Sequence, residues 1–154
     1  MKIRHIINNL GTGAERLVVE LSKGMRDLGH DVGIIQLTSS PDNSPTSRAA
    51  KNDGLNIVVL GRGRFDPRSI WRVRKHTRGA DVVHAHLFPA FYLAAMTGRR
   101  TKVLTEHSTD NRRRHGRLLR RLDRVIYRQF DRCVAISDGV NRSQHSFSTG
   151  VSLR

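Results

Sequence analysis

Two histidines, His84 and His86, close the run Ala80-Asp81-Val82-Val83-His84-Ala85-His86. Two residues apart on a strand, they face the same side. Such a pair can ligate a metal, but zinc sites want three or four ligands. Glu106 and His107 are the candidates to join them. One cysteine in the chain and no histidine-rich cluster argue against it, so no metal and no cofactor are expected. Two other roles stay open for the pair. One histidine can satisfy buried backbone groups at a strand end, or the pair can form a polar ligand site in a crevice. Glu106-His107 and Ser137-Asp138 offer further side chains of this kind, each just past an apolar run.

A second kind of chemistry is written in Gly11-Thr12-Gly13-Ala14-Glu15-Arg16. An apolar strand enters this glycine turn and a helix leaves it. Backbone N–H groups at such a turn converge on one point and suit an anion. Thr12 can cap the helix, with Glu15 as its reciprocal partner. Gly11 and Gly13 permit the tight turn and a close approach by a ligand. Arg16 stands where a dinucleotide-binding loop would carry its third glycine. The second strand ends Gln36-Leu37-Thr38, without the acidic residue that would hold a ribose. Gly-Lys-Ser/Thr, the mark of a P-loop, is absent. Nicotinamide-dinucleotide and P-loop chemistry are both excluded.

The elements that must position these residues alternate. Strands are predicted at 3–7, 31–37, 55–60, 81–84, 102–105 and 133–136. Helices are predicted from Ala14 to Leu28, at 67–78, near 89–97, at 111–127 and after Ser137. Residues 38–46, rich in Ser, Pro, Asn and Asp, read as a surface loop. Repeated β–α alternation implies one α/β, Rossmann-like domain over 1–154. Its parallel sheet has about six strands, with helices on both faces and 3–7 central. Residues 141–154 read as an irregular tail. In such sheets ligands sit beyond the carboxyl ends of the strands, at the point where strand order reverses. The glycine loop, His84 and His86, Glu106 and His107, and Ser137 all fall at strand ends of that kind.

Charge points to the partner. Twenty-eight lysines and arginines against 13 acids give a net charge of +15. That selects an anionic partner: nucleic acid, a phospholipid surface or a phosphorylated substrate. Cys133, alone and inside an apolar strand, reads as a small buried hydrophobe. No apolar run nears the ~20 residues of a membrane span. The amino terminus shows no signal-peptide pattern, so the cytoplasm is the expected compartment.

Residues 111–132 concentrate the charge. Arg113, Arg117, Arg120, Arg121, Arg124 and Arg128 share one side of a helical wheel. Leu118, Leu119, Leu122, Val125 and Ile126 share the other. Such a helix docks on the sheet through its apolar side with a solvated arginine face, or lies on an anionic membrane. Both can hold at once. Nucleic acid is disfavoured: aromatic residues are 5% of the chain and none interleaves with the charge as a reader motif would. A non-catalytic basic module for membrane or nucleic acid stays open as an alternative function.

Three stretches carry a family resemblance. "NLGTGAERLVVEL", "DVVHAH" and "VLTEHS" resemble the first strand–loop–helix, the fourth strand and the fifth strand of family 4 retaining glycosyltransferases of the GT-B fold. "RVIYRQFDRCVAISDGV" is similar to the sixth strand and its turn. The resemblance covers residues 1 to about 143. It departs from the family's pattern in having one glycine, not two, before Ala14. It implies the N-terminal, acceptor-side half of a metal-independent enzyme. That enzyme would transfer a sugar from a nucleotide-sugar donor to a lipid-linked or saccharide acceptor, at the inner face of the membrane. It implies His107 at the reaction site, where a neutral imidazole pairs one donor with one acceptor toward substrate hydroxyls. Gly11, Thr12, Gly13, Arg16, His84, His86, Glu106 and Ser137 would line the substrate site. The donor-binding second domain of the family has no counterpart in the 154 residues. The implied half either works with a separately encoded donor half or is an inactive remnant, and alone it would be inactive.

Overall fold

In a computed structural model of the chain, residues 1–10, 13–39, 44–61, 66–98, 101–106 and 117–135 are described. Their elements are β1 (Lys2–Ile7), α1 (Gly13–Asp27), β2 (Asp31–Gln36), α2 (Pro45–Asn52), β3 (Asn56–Val59), α3 (Arg68–His76), β4 (Val82–His86), α4 (Ala90–Ala95), β5 (Thr101–Glu106), α5 (Arg117–Tyr127) and β6 (Arg132–Ala135). The six strands pair in parallel in the order β3-β2-β1-β4-β5-β6. The α/β alternation and the inner position of 3–7 are as expected from the sequence. The chain steps from β1 outward to β2 and β3, then crosses back to lay β4 on the other side of β1. The switch point is therefore the β1–β4 junction.

Parallel strands covered on both faces must be apolar on both. Ile6, Ile35, Val83, Ala85, Leu104 and Cys133 meet Val73 of α3, Phe91 of α4 and Ile126 and Tyr127 of α5. On the opposite face Ile7 and Ile34 meet Val18 and Val19 of α1 and Ala50 of α2. Helix α1 stops where Gly29 takes φ +83°, a left-handed conformation open to glycine. Gly33 on β2 serves a different need. Arg4, its register partner on β1, lies across it, and a Cβ there would stand 3.3 Å from the arginine side chain.

The amino edge is tied by acids at strand starts. Arg4 grips Asp31 with both guanidinium nitrogens at 3.0 Å. That contact holds the Asp31 carboxyl below its ordinary range. Asp81 accepts from the Lys2 amide at 2.6 Å and Asp131 from the Lys102 amide at 2.8 Å.

Two expectations are corrected here. The predicted loop over 38–46 gives way to a helix from Pro45. Ser44 caps it, its hydroxyl accepting from the Ser47 amide and donating to the Leu10 carbonyl, and proline suits its first turn. The apolar stripe of α5 is also rotated from its expected setting. Leu119, Leu122 and Val125 are 46%, 44% and 55% exposed, whereas Asp123, Ile126 and Tyr127 are buried. The polar members of the buried side have partners inside. The Tyr92 hydroxyl donates to Asp123 and the Tyr127 hydroxyl to Glu106. These bonds, with Ile126 and Phe130 packed alongside, set which side of the helix meets the sheet.

Candidate functional site: a histidine cluster at the switch point

Histidines occupy the junction of β1 and β4. His5 of β1 stands opposite His84 of β4 in register, and His86 follows two residues on along the same face. All three are buried, at 0%, 6% and 1% exposure. His5 Nδ1 lies 3.2 Å from His86 Nε2, and His84 Nε2 lies 2.7 Å from the Thr105 hydroxyl on β5. Burial holds His5 neutral, its pKa pushed down to about 4. Ring stacking completes the cluster, with His84 and His86 centroids 4.1 Å apart. His84 is thus a mid-strand residue, and β4 runs on to His86, two residues past its predicted end.

Just above the cluster the backbone turns sharply. Leu87 takes φ +64° and the Phe88–Pro89 peptide is cis. Asn8, one residue past β1, donates its side-chain amide to the Phe88 carbonyl and so ties the two loops across the junction. Thr38 donates both its amide and its hydroxyl to the Asn8 carbonyl, at 2.8 and 3.0 Å. The loops after β1, β2 and β4 are therefore tied together at the junction.

Glu106 is the last residue of β5, at the same edge but on the α5 face of the sheet, 6% exposed and accepting from the Tyr127 hydroxyl. Its proximity and burial push the Cys133 thiol up to about 12, desolvation being the larger cause. That is the inert, buried cysteine expected from the sequence. Arg16 is exposed on the first turn of α1. It lines a cavity of 240 Å³ with Val19, Glu20, Pro45, Thr46 and Ala49, between α1 and α2.

Of the residues singled out from sequence, the structure brings His84 and His86 together. It sets Glu106 at the neighbouring strand end and leaves Arg16 exposed between α1 and α2, with helix α1 beginning at Gly13. Arg121, Arg124 and Arg128 are exposed, as the solvated arginine face requires. Gly11, Thr12, His107, Arg113 and Ser137 lie outside the described residues. Sequence reasoning passed over His5 and Asn8. A polar residue alternating with Ile3 and Ile7 on a buried strand was the available signal for His5.

A doubly wound parallel sheet whose strand order reverses at a central junction is the architecture of Rossmann-like ligand-binding domains. The glycosyltransferase family 4 profile matches residues 11–148, and the chain belongs to that family. No curated protein matches it in sequence. Among solved structures it resembles Anabaena Alr3699/HepE in complex with UDP and glucose, at 14% identity and a TM-score of 0.79. That match covers 99% of this chain and 43% of that one. It also resembles a glycosyltransferase from Rickettsia africae at 15% identity and TM-score 0.74, with 99% and 42% covered. A third is the lipopolysaccharide outer core galactosyltransferase WaaB in its apo form, at 14% and 0.71, with 100% and 44% covered. The fold is thus that of the N-terminal domain of GT-B glycosyltransferases, and the chain spans less than half the length of each of these structures.

Proposed function

We propose that this chain is the acceptor-binding part of a retaining glycosyltransferase that moves a sugar from a nucleotide-sugar donor to a lipid-linked or saccharide acceptor. The observation that carries the reading is the family match over residues 11–148, on a doubly wound sheet whose switch point holds a buried histidine cluster. UDP and glucose bound to HepE, and the lipopolysaccharide activity named for WaaB, support the kind of donor and acceptor. In this reading the donor is held by a second domain or subunit, and no metal takes part in transfer.

His107, directly after β5, contacts the acceptor hydroxyl at the reacting centre. Gly11, Thr12, Gly13 and Arg16 receive an anionic group at the start of α1, where backbone donors and the helix dipole favour negative charge. Glu106, Ser137, His84 and His86 are the remaining residues assigned to the substrate site in this reading. The test is sugar transfer by the assembled enzyme with His107→Ala. Its rate should fall by about 10²-fold or more, with stability unchanged. NMR of the product's anomeric configuration checks retention.

Membrane contact is a second part of the reading, favoured by the outward face of α5. Exposed Leu122 and Val125 run beside exposed Arg121, Arg124 and Arg128. An apolar shoulder next to a cationic face suits an anionic lipid interface. In the sequence Arg113, Arg117 and Arg120 belong to the same arginine stripe, but Arg113 and the side chains of Arg117 and Arg120 lie outside the described residues. On the same side of the sheet α3 exposes Trp71, with Arg74 stacked 5.5 Å from its ring. Tryptophan is enriched at lipid–water interfaces. No helix among the described residues is long and apolar enough to cross a membrane, and we place the protein peripherally, at the cytoplasmic face.

A further inference from the structure

His5, His84 and His86 are more than a buried polar cluster. One ring nitrogen from each lies within 4.8 Å of the other two. Two ligands on a tetrahedral zinc, each at about 2.0–2.1 Å, stand about 3.3 Å apart. His5 Nδ1 and His86 Nε2 are 3.2 Å apart already. The same distance fits an N–H···N hydrogen bond, but that bond alone does not complete the cluster. His5 is fully buried, so water does not compete for its Nδ1.

The state and setting of the rings also suit a metal. A ligating histidine must be neutral, and burial holds His5 in that form. Metal-bound histidines characteristically engage their second nitrogen with an oxygen, which fixes the tautomer. His84 Nε2 pairs with the Thr105 hydroxyl at 2.7 Å; with the proton on Nε2, the ring offers Nδ1 to a metal. The donor set is imidazole alone among the described residues. Cys133 lies on the opposite face of the sheet, in the cluster under α5. Three imidazoles select zinc and its borderline neighbours over magnesium or calcium, which take oxygen ligands.

We infer that His5, His84 and His86 bind one zinc ion at the β1–β4 junction. Three protein ligands leave a fourth position, which water can fill. Ligands from both strands would pin the switch point from inside, directly below the turn that Asn8 ties to Phe88. This role is structural and takes no part in sugar transfer, although it shares His84 and His86 with the substrate site of that reading. It was missed in the sequence because the third ligand comes from β1, 79 residues before His84, where only strand register makes them neighbours.

The test uses the full 154-residue chain, stripped with a chelator and titrated with cobalt(II) as a visible stand-in for zinc. One equivalent should bring up the d–d bands of four-coordinate cobalt, and zinc should abolish them. His5→Gln, His84→Gln and His86→Gln should each lose the bands, whereas His30→Gln and His76→Gln should keep them. Should the cluster variants fail to fold, long-range 15N NMR of the unmodified chain decides the matter. Zinc must move the ring nitrogens of His5, His84 and His86 and leave those of His30 and His76 in place. Folded chain that binds no stoichiometric cobalt, bands that survive loss of His5 or His86, or zinc shifts at other histidines only, would overturn the site. The cluster would then be held by hydrogen bonds and stacking alone.

Discussion

The side-chain amide of Asn8 donates to the carbonyl of Phe88, linking the loop after β1 to the loop after β4 across the junction where strand order reverses. Asn8 is 7% exposed, so little water competes for that bond. Asn8→Ala should destabilise the domain by about 1–2 kcal/mol, the loss of one buried hydrogen bond and its packing. Urea unfolding followed by circular dichroism would show a lower midpoint with an unchanged slope.

Helix α5 makes a pair of opposite predictions. Leu122 is 44% exposed and Ile126 is 7% exposed. Leu122→Asp should stay folded, and Ile126→Asp should unfold the domain, since an unpaired buried charge costs several kcal/mol. Thermal melts separate the two outcomes.

The same helix predicts lipid selectivity. Changing Arg121, Arg124 and Arg128 together to glutamine should abolish binding to vesicles containing anionic lipid and leave the melting temperature unchanged, because all three are solvated. Co-sedimentation against neutral vesicles is the control. Binding of the triple variant equal to that of the original chain would remove α5 from the membrane reading.

The Arg4–Asp31 pair predicts an acid limb of stability. The Asp31 carboxyl is held below its model-peptide value of 3.8, chiefly by hydrogen bonds from Arg4. A carboxylate depressed in the folded state stabilises fully above its unfolded pKa. That contribution is lost as pH falls through the folded value. Asp31→Asn should therefore lower stability at neutral pH slightly and flatten the pH dependence below about 4. The effect is small because the carboxylate is largely in solvent.

Cys133 offers a check on burial. With its thiol pushed up to about 12 and its side chain in the core, the folded chain should leave a thiol reagent unreacted at pH 8. One equivalent should react at once in denaturant.

Much of this arrangement was legible in the sequence because it depends on local pattern. Alternating strands and helices forced the parallel sheet, and glycines at helix ends marked its turns. Strands β4 and β5 were legible as apolar runs, although they reach His86 and Glu106, past their expected ends at 84 and 105. What escaped depends on contacts far apart in the chain. The inward face of α5 is chosen by Tyr92 and Glu106, which give Asp123 and Tyr127 their partners, so a helical wheel alone ranked Leu122 and Val125 as core. Helix α2 hid behind Ser44-Pro45, a pair that reads equally as a turn until the Leu10 carbonyl supplies the cap's second contact. His5 looked like an isolated histidine because its partners lie on β4.

The most direct test of the central reading is a transfer assay with the 154-residue chain, supplied with a panel of nucleotide sugars and lipid-linked or saccharide acceptors, with and without a donor-binding domain of the same family. The account predicts no transfer by the chain alone and transfer when the donor-binding domain is added, lost again on His107→Ala. Robust transfer by the chain alone, or an undiminished rate with His107→Ala, would contradict it.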